Sequence, residues 1–183
     1  MNTVFKNLSL AGQELALGLA AYTARPDTLV LGLPLGGVFI GCEIATALNL
    51  PLDVLVVRKV SVPGDQKLVI GALAQGGIQL IDEVLIARRG ISMALVEQAV
   101  LHAEKELCYR ERIYRGELPP TDVAGKTVIL ADVWFGATMQ AAVLALHKSR
   151  AARIVAAAPV AARAAVEKLR ALADEVVVVR ALA

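Results

Sequence analysis

The segment from Asp132 to Thr138 combines residue types that could bind an anion. An apolar stretch at 127–131 ends in Asp132, and a short loop leads through Gly136 into a second apolar-periodic stretch that begins at Ala137 and Thr138. This pattern predicts a strand, a loop and the start of a helix. The free backbone N–H groups of a helix start, with a threonine hydroxyl beside them, can bind phosphate. Open α/β sheets bind their ligands where the strands end, which is where Asp132 would lie.

A pair of glycines follows an earlier apolar stretch. Residues 28–33 lead directly into the turn that contains Gly36 and Gly37. Glycine has no side chain beyond Cα, so the backbone can approach a ligand closely at such positions. The pair therefore has two interpretations: an ordinary tight turn between a strand and a helix, or a backbone cradle for an anion.

Basic residues occur at the ends of two predicted elements. Arg58 and Lys59 follow the apolar stretch 52–57, and Arg112 and Arg115 lie at the end of a long predicted helix. Guanidinium and ammonium groups suit the charges of a pyrophosphate. Because parallel strands share one carboxyl edge, we predict that the first pair converges there with the glycines and the acid. The alternative is that both pairs are solvated.

Other kinds of site have little support in the sequence. The two histidines, His102 and His147, have no suitable partners nearby, and the two cysteines, Cys42 and Cys108, lack the spacing of a metal site. We therefore predict no metal held by protein side chains alone and no disulfide. The glycine motifs of dinucleotide sites and of P-loops do not occur.

The elements that must position these residues alternate between strands and helices. Apolar stretches predict five parallel strands, and periodic segments predict the helices between them. We expect an α/β fold with an open, mostly parallel five-stranded sheet, helices on both faces, and a small antiparallel flap at 69–81 around Gly76 and Gly77. A single domain is expected over 1–183. The predicted strands are 28–33, 52–57, 127–132, 153–158 and 175–179, and the predicted helices are 8–23, 38–48, 92–114, 137–149 and 161–172.

Composition limits the possible partners. A net charge of +2 is too small to favour nucleic acid, and the 57% hydrophobic content fits a buried parallel sheet. The mean hydropathy of +0.61 raises the question of a membrane. The longest uncharged stretches, 28–42 and 133–147, are shorter than the roughly 20 residues of a spanning helix. We expect no membrane partner, no signal peptide and a cytoplasmic location.

The order and spacing of several stretches resemble type I phosphoribosyltransferases, and in particular an uncharacterised bacterial group of such proteins. The similar stretches are 30–47, 52–59, 70–77, 109–116 and 128–142. The resemblance implies transfer of phosphoribose from phosphoribosyl pyrophosphate to a nucleobase-like acceptor. It also implies Mg²⁺, bound through the substrate's pyrophosphate, and a homodimer.

The resemblance assigns expected roles to the residues above. Asp132 would be the catalytic residue that steadies the ribose, and the segment Gly136–Ala137–Thr138 would hold the 5-phosphate. The glycine pair and the Arg58–Lys59 pair would contact pyrophosphate. By analogy with a mobile flap that excludes water from the reacting centre, Arg112 and Arg115 would close over the ribose.

The sequence departs from the family pattern in three places. The family has two adjacent acids where this chain has Asp132 alone, and the loop is about two residues shorter and carries Trp134 and Phe135. Family members also continue into a hood that covers the base. These departures favour weak or absent turnover, and the alternative is a non-catalytic phosphate- or nucleotide-binding or assembly protein. The two aromatics are expected either to fill the phosphate pocket or to join a second subunit.

Overall fold

The structure, a computed structural model, describes residues 5–182 and divides into two compact units. The main unit comprises Met1–Leu55 and Thr121–Ala183, and the inserted unit comprises Val56–Pro120. Each unit has its own sheet and its own helices. The expectation of a single domain over 1–183 stays a prediction.

In chain order the described residues form a 3₁₀ turn (Ala20–Tyr22) and the following elements: α1 (Leu8–Gly18), β1 (Thr28–Gly32), α2 (Gly36–Leu48), β2 (Leu52–Val54), β3 (Val57–Val62), β4 (Asp65–Ala74), β5 (Ile78–Ile81), α3 (Glu83–Arg89), α4 (Met93–Arg115), β6 (Thr127–Ala131), α5 (Ala137–Lys148), β7 (Arg153–Ala162), α6 (Arg163–Arg170) and β8 (Glu175–Leu182).

The main unit is built on a five-stranded parallel sheet with the order β2-β1-β6-β7-β8. The central strands β1 and β6 pair in register from Thr28 opposite Thr127 to Gly32 opposite Ala131. Both strands are buried along their whole length, as expected of a parallel sheet covered on both faces. The predicted α/β fold with five parallel strands is confirmed.

The chain runs outward from the centre of this sheet in two directions. From β1 it passes through α2 to β2 on one side, and from β6 it passes through α5 and α6 to β7 and β8 on the other. Right-handed crossovers then place α2 on one face and α5 and α6 on the opposite face. The reversal between β1 and β6 is a topological switch point, and such points form the ligand crevice in doubly wound sheets.

One face of the sheet packs against α1 and α2. Its core joins strand residues such as Val30 and Ile129 to helix residues such as Leu15, Ile40 and Ile44, all with no exposed surface. At roughly 1.5–3 kcal/mol for each large apolar side chain, burial of this cluster is a major source of the main unit's stability.

The inserted unit contains a three-stranded antiparallel sheet with the order β3-β4-β5. Gly76 and Gly77 both have positive φ in the turn between β4 and β5, as the hairpin prediction requires. The helix α4 packs on β3 and β4, and its predicted N-cap is confirmed because the Ser92 hydroxyl accepts from the Leu95 N–H at 3.4 Å. The predicted antiparallel flap is therefore confirmed, but its sheet has a third strand, β3, which lies before the predicted range 69–81.

That third strand corrects the prediction for 52–57. The parallel strand β2 ends at Val54, and Leu55 donates its N–H to the Gly32 carbonyl at 3.1 Å before the chain leaves the sheet. Val56 then pairs with Gln75, whose side-chain oxygen accepts the Val56 N–H at 3.1 Å. The apolar stretch 52–57 thus contributes to both sheets, and its hydrophobic pattern does not show where β2 ends and β3 begins.

No helix within residues 5–182 is long and apolar enough to cross a membrane.

Candidate functional site

Asp132 lies directly after β6, at the carboxyl end of a central strand. Its backbone N–H donates to the Ala157 carbonyl at 3.1 Å, and its Oδ1 accepts the Val133 N–H at 2.7 Å. Burial raises the pKa of this carboxyl to about 6, against the smaller opposing effect of the Val133 hydrogen bond. The group is therefore a carboxylate at neutral pH that can take up a proton under mildly acidic conditions.

The first two residues of α2, Gly36 and Gly37, lie directly against this segment. A Cβ atom on Gly37 would lie 2.4 Å from the Ala131 carbonyl oxygen and 2.9 Å from the Asp132 Cα, and one on Gly36 would lie 2.5 Å from the Val133 Cγ1. A side chain at position 37 would therefore require a shift of the backbone, and one at position 36 would require the Val133 side chain to move. The structure therefore brings Gly36, Gly37 and Asp132 together at the switch point. The turn that precedes α2 has a cis peptide bond between Pro34 and Leu35.

The third component is the start of α5. Its N-cap is Gly136, in an extended conformation, and no side chain of the described residues caps the helix. The Gln140 N–H bonds to the Gly136 carbonyl at 3.3 Å, which leaves the N–H groups of Ala137 and Thr138 outside the intrahelical ladder. Ala137 is exposed and Thr138 is half-buried. The start of α5 thus has two amides outside the helical ladder beside a threonine, and phosphate binding by Gly136, Ala137 and Thr138 stays a prediction.

The two aromatic side chains of the loop, Trp134 and Phe135, lie in different environments. Phe135 is buried, with 2% of its surface exposed, whereas Trp134 is 56% exposed. The Trp134 backbone pairs with Val160 in an isolated bridge beyond the end of β6, so the backbone that carries the indole is fixed. The Phe135 ring is thus inside the unit and the indole is on the surface, and the choice between filling a phosphate pocket and joining a second subunit stays a prediction.

Two exposed apolar side chains on the β1–α2 side were missed by sequence reasoning. Leu35 is 68% exposed in the turn, and Phe39 is 65% exposed in the first turn of α2. Phe39 lies in the predicted helix 38–48, where no pattern in the sequence distinguishes it from Ile40 or Ile44, and Leu35 lies in the predicted turn before that helix.

The predicted cations lie in the inserted unit. Arg58 and Lys59 are inside β3 rather than after a parallel strand, and the Arg58 guanidinium forms a salt bridge with Glu106 of α4. The Arg58 Nε is buried without a hydrogen-bond partner among the described residues. The prediction of their place after a parallel strand is wrong. Their contact with pyrophosphate stays a prediction.

The predicted flap cations lie in the last turn of α4. Arg115 donates from Nε to the Leu118 carbonyl at 3.4 Å and from its terminal nitrogen to the Pro119 carbonyl, whereas Arg112 is exposed. Arg115 therefore stabilises the loop that follows its own helix. A role for either residue in covering a ribose stays a prediction.

The acidic groups of the site are few. No cluster of three potential metal-ligating side chains occurs in the part of the chain that the structure describes. Asp132 is a single carboxylate with one oxygen already accepting a hydrogen bond. This donor set fits a Mg²⁺ that is held chiefly by substrate phosphates and water, which is the usual way that proteins bind this ion.

The fold and the site together define a doubly wound α/β protein with an acid, a glycine cradle and an uncapped helix start at its switch point. No protein-family model matches the chain. A protein of Mycobacterium tuberculosis (strain CDC 1551 / Oshkosh) named "Putative phosphoribosyl transferase MT0597" is 31% identical over 176 residues, which cover 95% of this chain and 40% of that protein. The chain thus spans less than half the length of the curated relatives that it matches.

Solved structures extend the comparison. The crystal structure of TT1426 from Thermus thermophilus is similar with a TM-score of 0.84 and 35% identity, over 97% of this chain and 85% of that one. An adenine phosphoribosyltransferase from Rhodothermus marinus has a TM-score of 0.53 at 14% identity, over 96% of this chain and 79% of that one, and shares the fold. The chain belongs to the type I phosphoribosyltransferase-like family.

Proposed function

We propose that the main unit binds phosphoribosyl pyrophosphate at the switch point and transfers its phosphoribosyl group slowly to a nucleobase-like acceptor. The observation that carries this proposal is the close approach of Gly37 to the backbone of Ala131 and Asp132 and of Gly36 to the Val133 side chain. It brings a glycine cradle, a carboxylate and an open helix start to one crevice, where a ligand with an anion at each end of a ribose would fit.

Each part of the crevice has a distinct task in this proposal. The N–H groups of Ala137 and Thr138 and the Thr138 hydroxyl bind the 5-phosphate, with the helix dipole contributing on the order of 1 kcal/mol. The β1–α2 turn accommodates the pyrophosphate. Above a pH of about 6 the Asp132 carboxylate is ionised and binds the ribose hydroxyls.

The reaction exchanges one bond at the anomeric carbon. The C–O bond to pyrophosphate breaks, a bond to the acceptor nitrogen forms, and that nitrogen loses its proton to solvent. Positive charge develops on the ribose in between, and the carboxylate of Asp132 stabilises it. Mg²⁺, bound through the pyrophosphate, would neutralise the leaving group when present.

Two features support slow turnover. The position of the family's second acid is occupied by Val133, which packs on Gly36, and the ring of Phe135 takes up interior space in the shortened loop. They also favour the second candidate, a protein that binds phosphorylated ribose without transfer. We propose a cytoplasmic location as well, because both cysteines are free and exposed and a reducing compartment keeps thiols in that state.

Calorimetric titration with phosphoribosyl pyrophosphate and Mg²⁺, followed by a pyrophosphate-release assay with a panel of purines and pyrimidines, tests the proposal. Binding with acceptor-dependent release indicates a transferase, and binding without release indicates the second candidate. Thr138→Val should weaken binding by about tenfold, since it removes one hydrogen bond to a charged group. Absence of binding at millimolar ligand would refute both.

A further inference from the structure

Large apolar side chains lie exposed beside the switch point of the parallel sheet. Leu35 and Phe39, which are 68% and 65% exposed, flank the start of α2, and Trp134, which is 56% exposed, follows β6. Gly36, next to Leu35 in the chain, lies against Val133, which precedes Trp134. The exposed side chains therefore border the crevice from both strands. Exposed apolar surface that is concentrated in this way marks a contact surface.

The backbone of Trp134 is anchored on both sides. Before it, the Val133 side chain lies so close to Gly36 that a Cβ there would be 2.5 Å from the Val133 Cγ1. After it, the Phe135 ring is buried, and Trp134 itself pairs with Val160 in a parallel bridge. The indole therefore has only its two side-chain torsions to fix when it meets a ligand, so the ordering cost of such a contact is small.

The indole lies beside the start of α5. Its Nε1 is 3.3 Å from the position that a Cβ on Gly136 would take. The amides of Ala137 and Thr138, which lie outside the helical ladder, follow directly in the chain. In a nucleotide, one ribose separates the phosphate from the base. A phosphate at this helix start would therefore place the base within reach of the face of the indole.

The segments that border the crevice have few side chains that could hydrogen-bond to the edge of a base. Residues 33–39 contain none, and residues 132–138 contain the Asp132 carboxylate, the Thr138 hydroxyl and the indole N–H. The first two act on the ribose and the phosphate in the proposed function. Stacking needs no such groups, because every base has a π-face. A ring bound here is therefore selected by its area rather than by its hydrogen-bonding edge.

We propose that Trp134 determines the acceptor class: it stacks on the ring of a nucleobase and favours purines over pyrimidines by ring area, with little discrimination among purines. The inference rests on the proposed function, since the phosphate of the nucleotide product positions the ring. Stacking of one base on an aromatic side chain changes affinity by about 5- to 150-fold. Nucleoside monophosphates should therefore bind more tightly, by a factor in this range, than ribose 5-phosphate, which lacks the base.

Calorimetric titration of the full chain with AMP, GMP, UMP and ribose 5-phosphate is the test. We expect AMP and GMP to bind within about fivefold of each other, the factor that one net hydrogen bond contributes, and both to bind more tightly than UMP. Trp134→Ala should abolish the difference between AMP and ribose 5-phosphate and leave the affinity for ribose 5-phosphate unchanged. Because Trp134 is the single tryptophan of the sequence, the fluorescence of the parent should change when AMP binds.

Matched variants distinguish stacking from general apolar contact. Trp134→Phe keeps an aromatic face and should retain most of the difference between AMP and ribose 5-phosphate, whereas Trp134→Leu keeps an apolar side chain and should lose it. Leu17→Ala removes a side chain of α1 that is 78% exposed and should change the affinity for neither ligand. If ribose 5-phosphate binds but AMP binds no more tightly, or if Trp134→Ala weakens both ligands equally, this inference is wrong and the proposed function stands. If neither ligand binds at millimolar concentration, both are wrong.

Discussion

The buried carboxylate of Asp132 should make the protein less stable at neutral pH than it would be with an amide at the same position. Burial raises the pKa of this group from 3.8 to about 6. The folded state therefore holds the proton more tightly than the unfolded state does. The free energy of unfolding falls as the pH rises from about 4 to about 6 and remains lower above that range.

The size of the effect follows from the shift. About two pKa units correspond to roughly 3 kcal/mol at 1.36 kcal/mol per unit, and partial exposure of the side chain reduces this to about 1–3 kcal/mol. Asp132→Asn removes the titration and keeps an oxygen that can accept the Val133 N–H. The variant should therefore be more stable than the parent by that amount above a pH of about 7, with a much smaller difference near pH 4.

Urea unfolding followed by tryptophan fluorescence measures this directly. Trp134 is the single tryptophan of the sequence and lies two residues from the substitution, so the signal reports the main unit. For a chain of this length the gain corresponds to a melting temperature higher by about 2–4 °C per kcal/mol. Asp122→Asn is the control, because Asp122 is exposed and also accepts a backbone N–H, from Ala124 at 3.0 Å. An Asp132→Asn variant that is equal to or less stable than the parent at a pH of about 8 would refute the reasoning.

Four further substitutions test the packing around the site and the sheet. Gly37→Ala should lower the free energy of unfolding by roughly 1–3 kcal/mol, because its Cβ would lie 2.4 Å from the Ala131 carbonyl oxygen at the end of β6. The same substitution should abolish ligand binding. Chemical denaturation measures the first effect and calorimetry the second. Phe135→Ala should cost about 3–5 kcal/mol in urea unfolding followed by circular dichroism, whereas Trp134→Ala should cost under about 1 kcal/mol. Tyr22→Phe removes a hydroxyl that donates to the Glu175 carboxylate at 2.6 Å and should lower the free energy of unfolding by about 1–2 kcal/mol.

Each of these predictions about the substitutions can be contradicted by a specific result. Gly136→Ala is the matched control for stability, since its Cβ would meet only the Trp134 indole nitrogen at 3.3 Å. An equal loss of unfolding free energy in Gly37→Ala and Gly136→Ala would argue against the close contact of Gly37. Equal losses of unfolding free energy for Phe135→Ala and Trp134→Ala would show that the two side chains are not buried to different extents. A Tyr22→Phe variant as stable as the parent would mean that solvent replaces the lost hydrogen bond.

Most of the five-stranded parallel sheet was predictable from the sequence, because buried parallel strands consist of unbroken apolar stretches. The strands at Thr28 and Thr127 and the glycine hairpin at Gly76 fall where the pattern placed them. The boundary between β2 and β3 was not predicted, because Val54 and Val57 belong to one apolar stretch whose two ends lie in different sheets. The helix α3 was also missed, although Asp82 caps its start and Gly90, with φ of 62°, ends it.

The site was predictable only in part. Asp132, directly after β6, and Gly37, in the first turn of α2 after β1, lie together as predicted because a parallel sheet puts the carboxyl ends of its strands on one edge. The opposite orientations of Trp134 and Phe135 depend on which side of a short loop faces the interior. Neighbouring aromatics in a loop carry no periodicity that could reveal this.

The division of the main unit into two chain segments has a consequence for how the protein folds. The central pairing of β1 with β6 closes a loop of about 100 residues, and closure of so long a loop is entropically costly and slow. The whole inserted unit lies within that loop, and the main-unit segments that flank it are joined where the Thr121 hydroxyl donates to the Asp53 carboxylate. If the inserted unit folds first from its own local hairpins and helices, it brings these ends together and shortens the effective loop. The order of folding would then run from the middle of the chain outward, with the parallel sheet completed last.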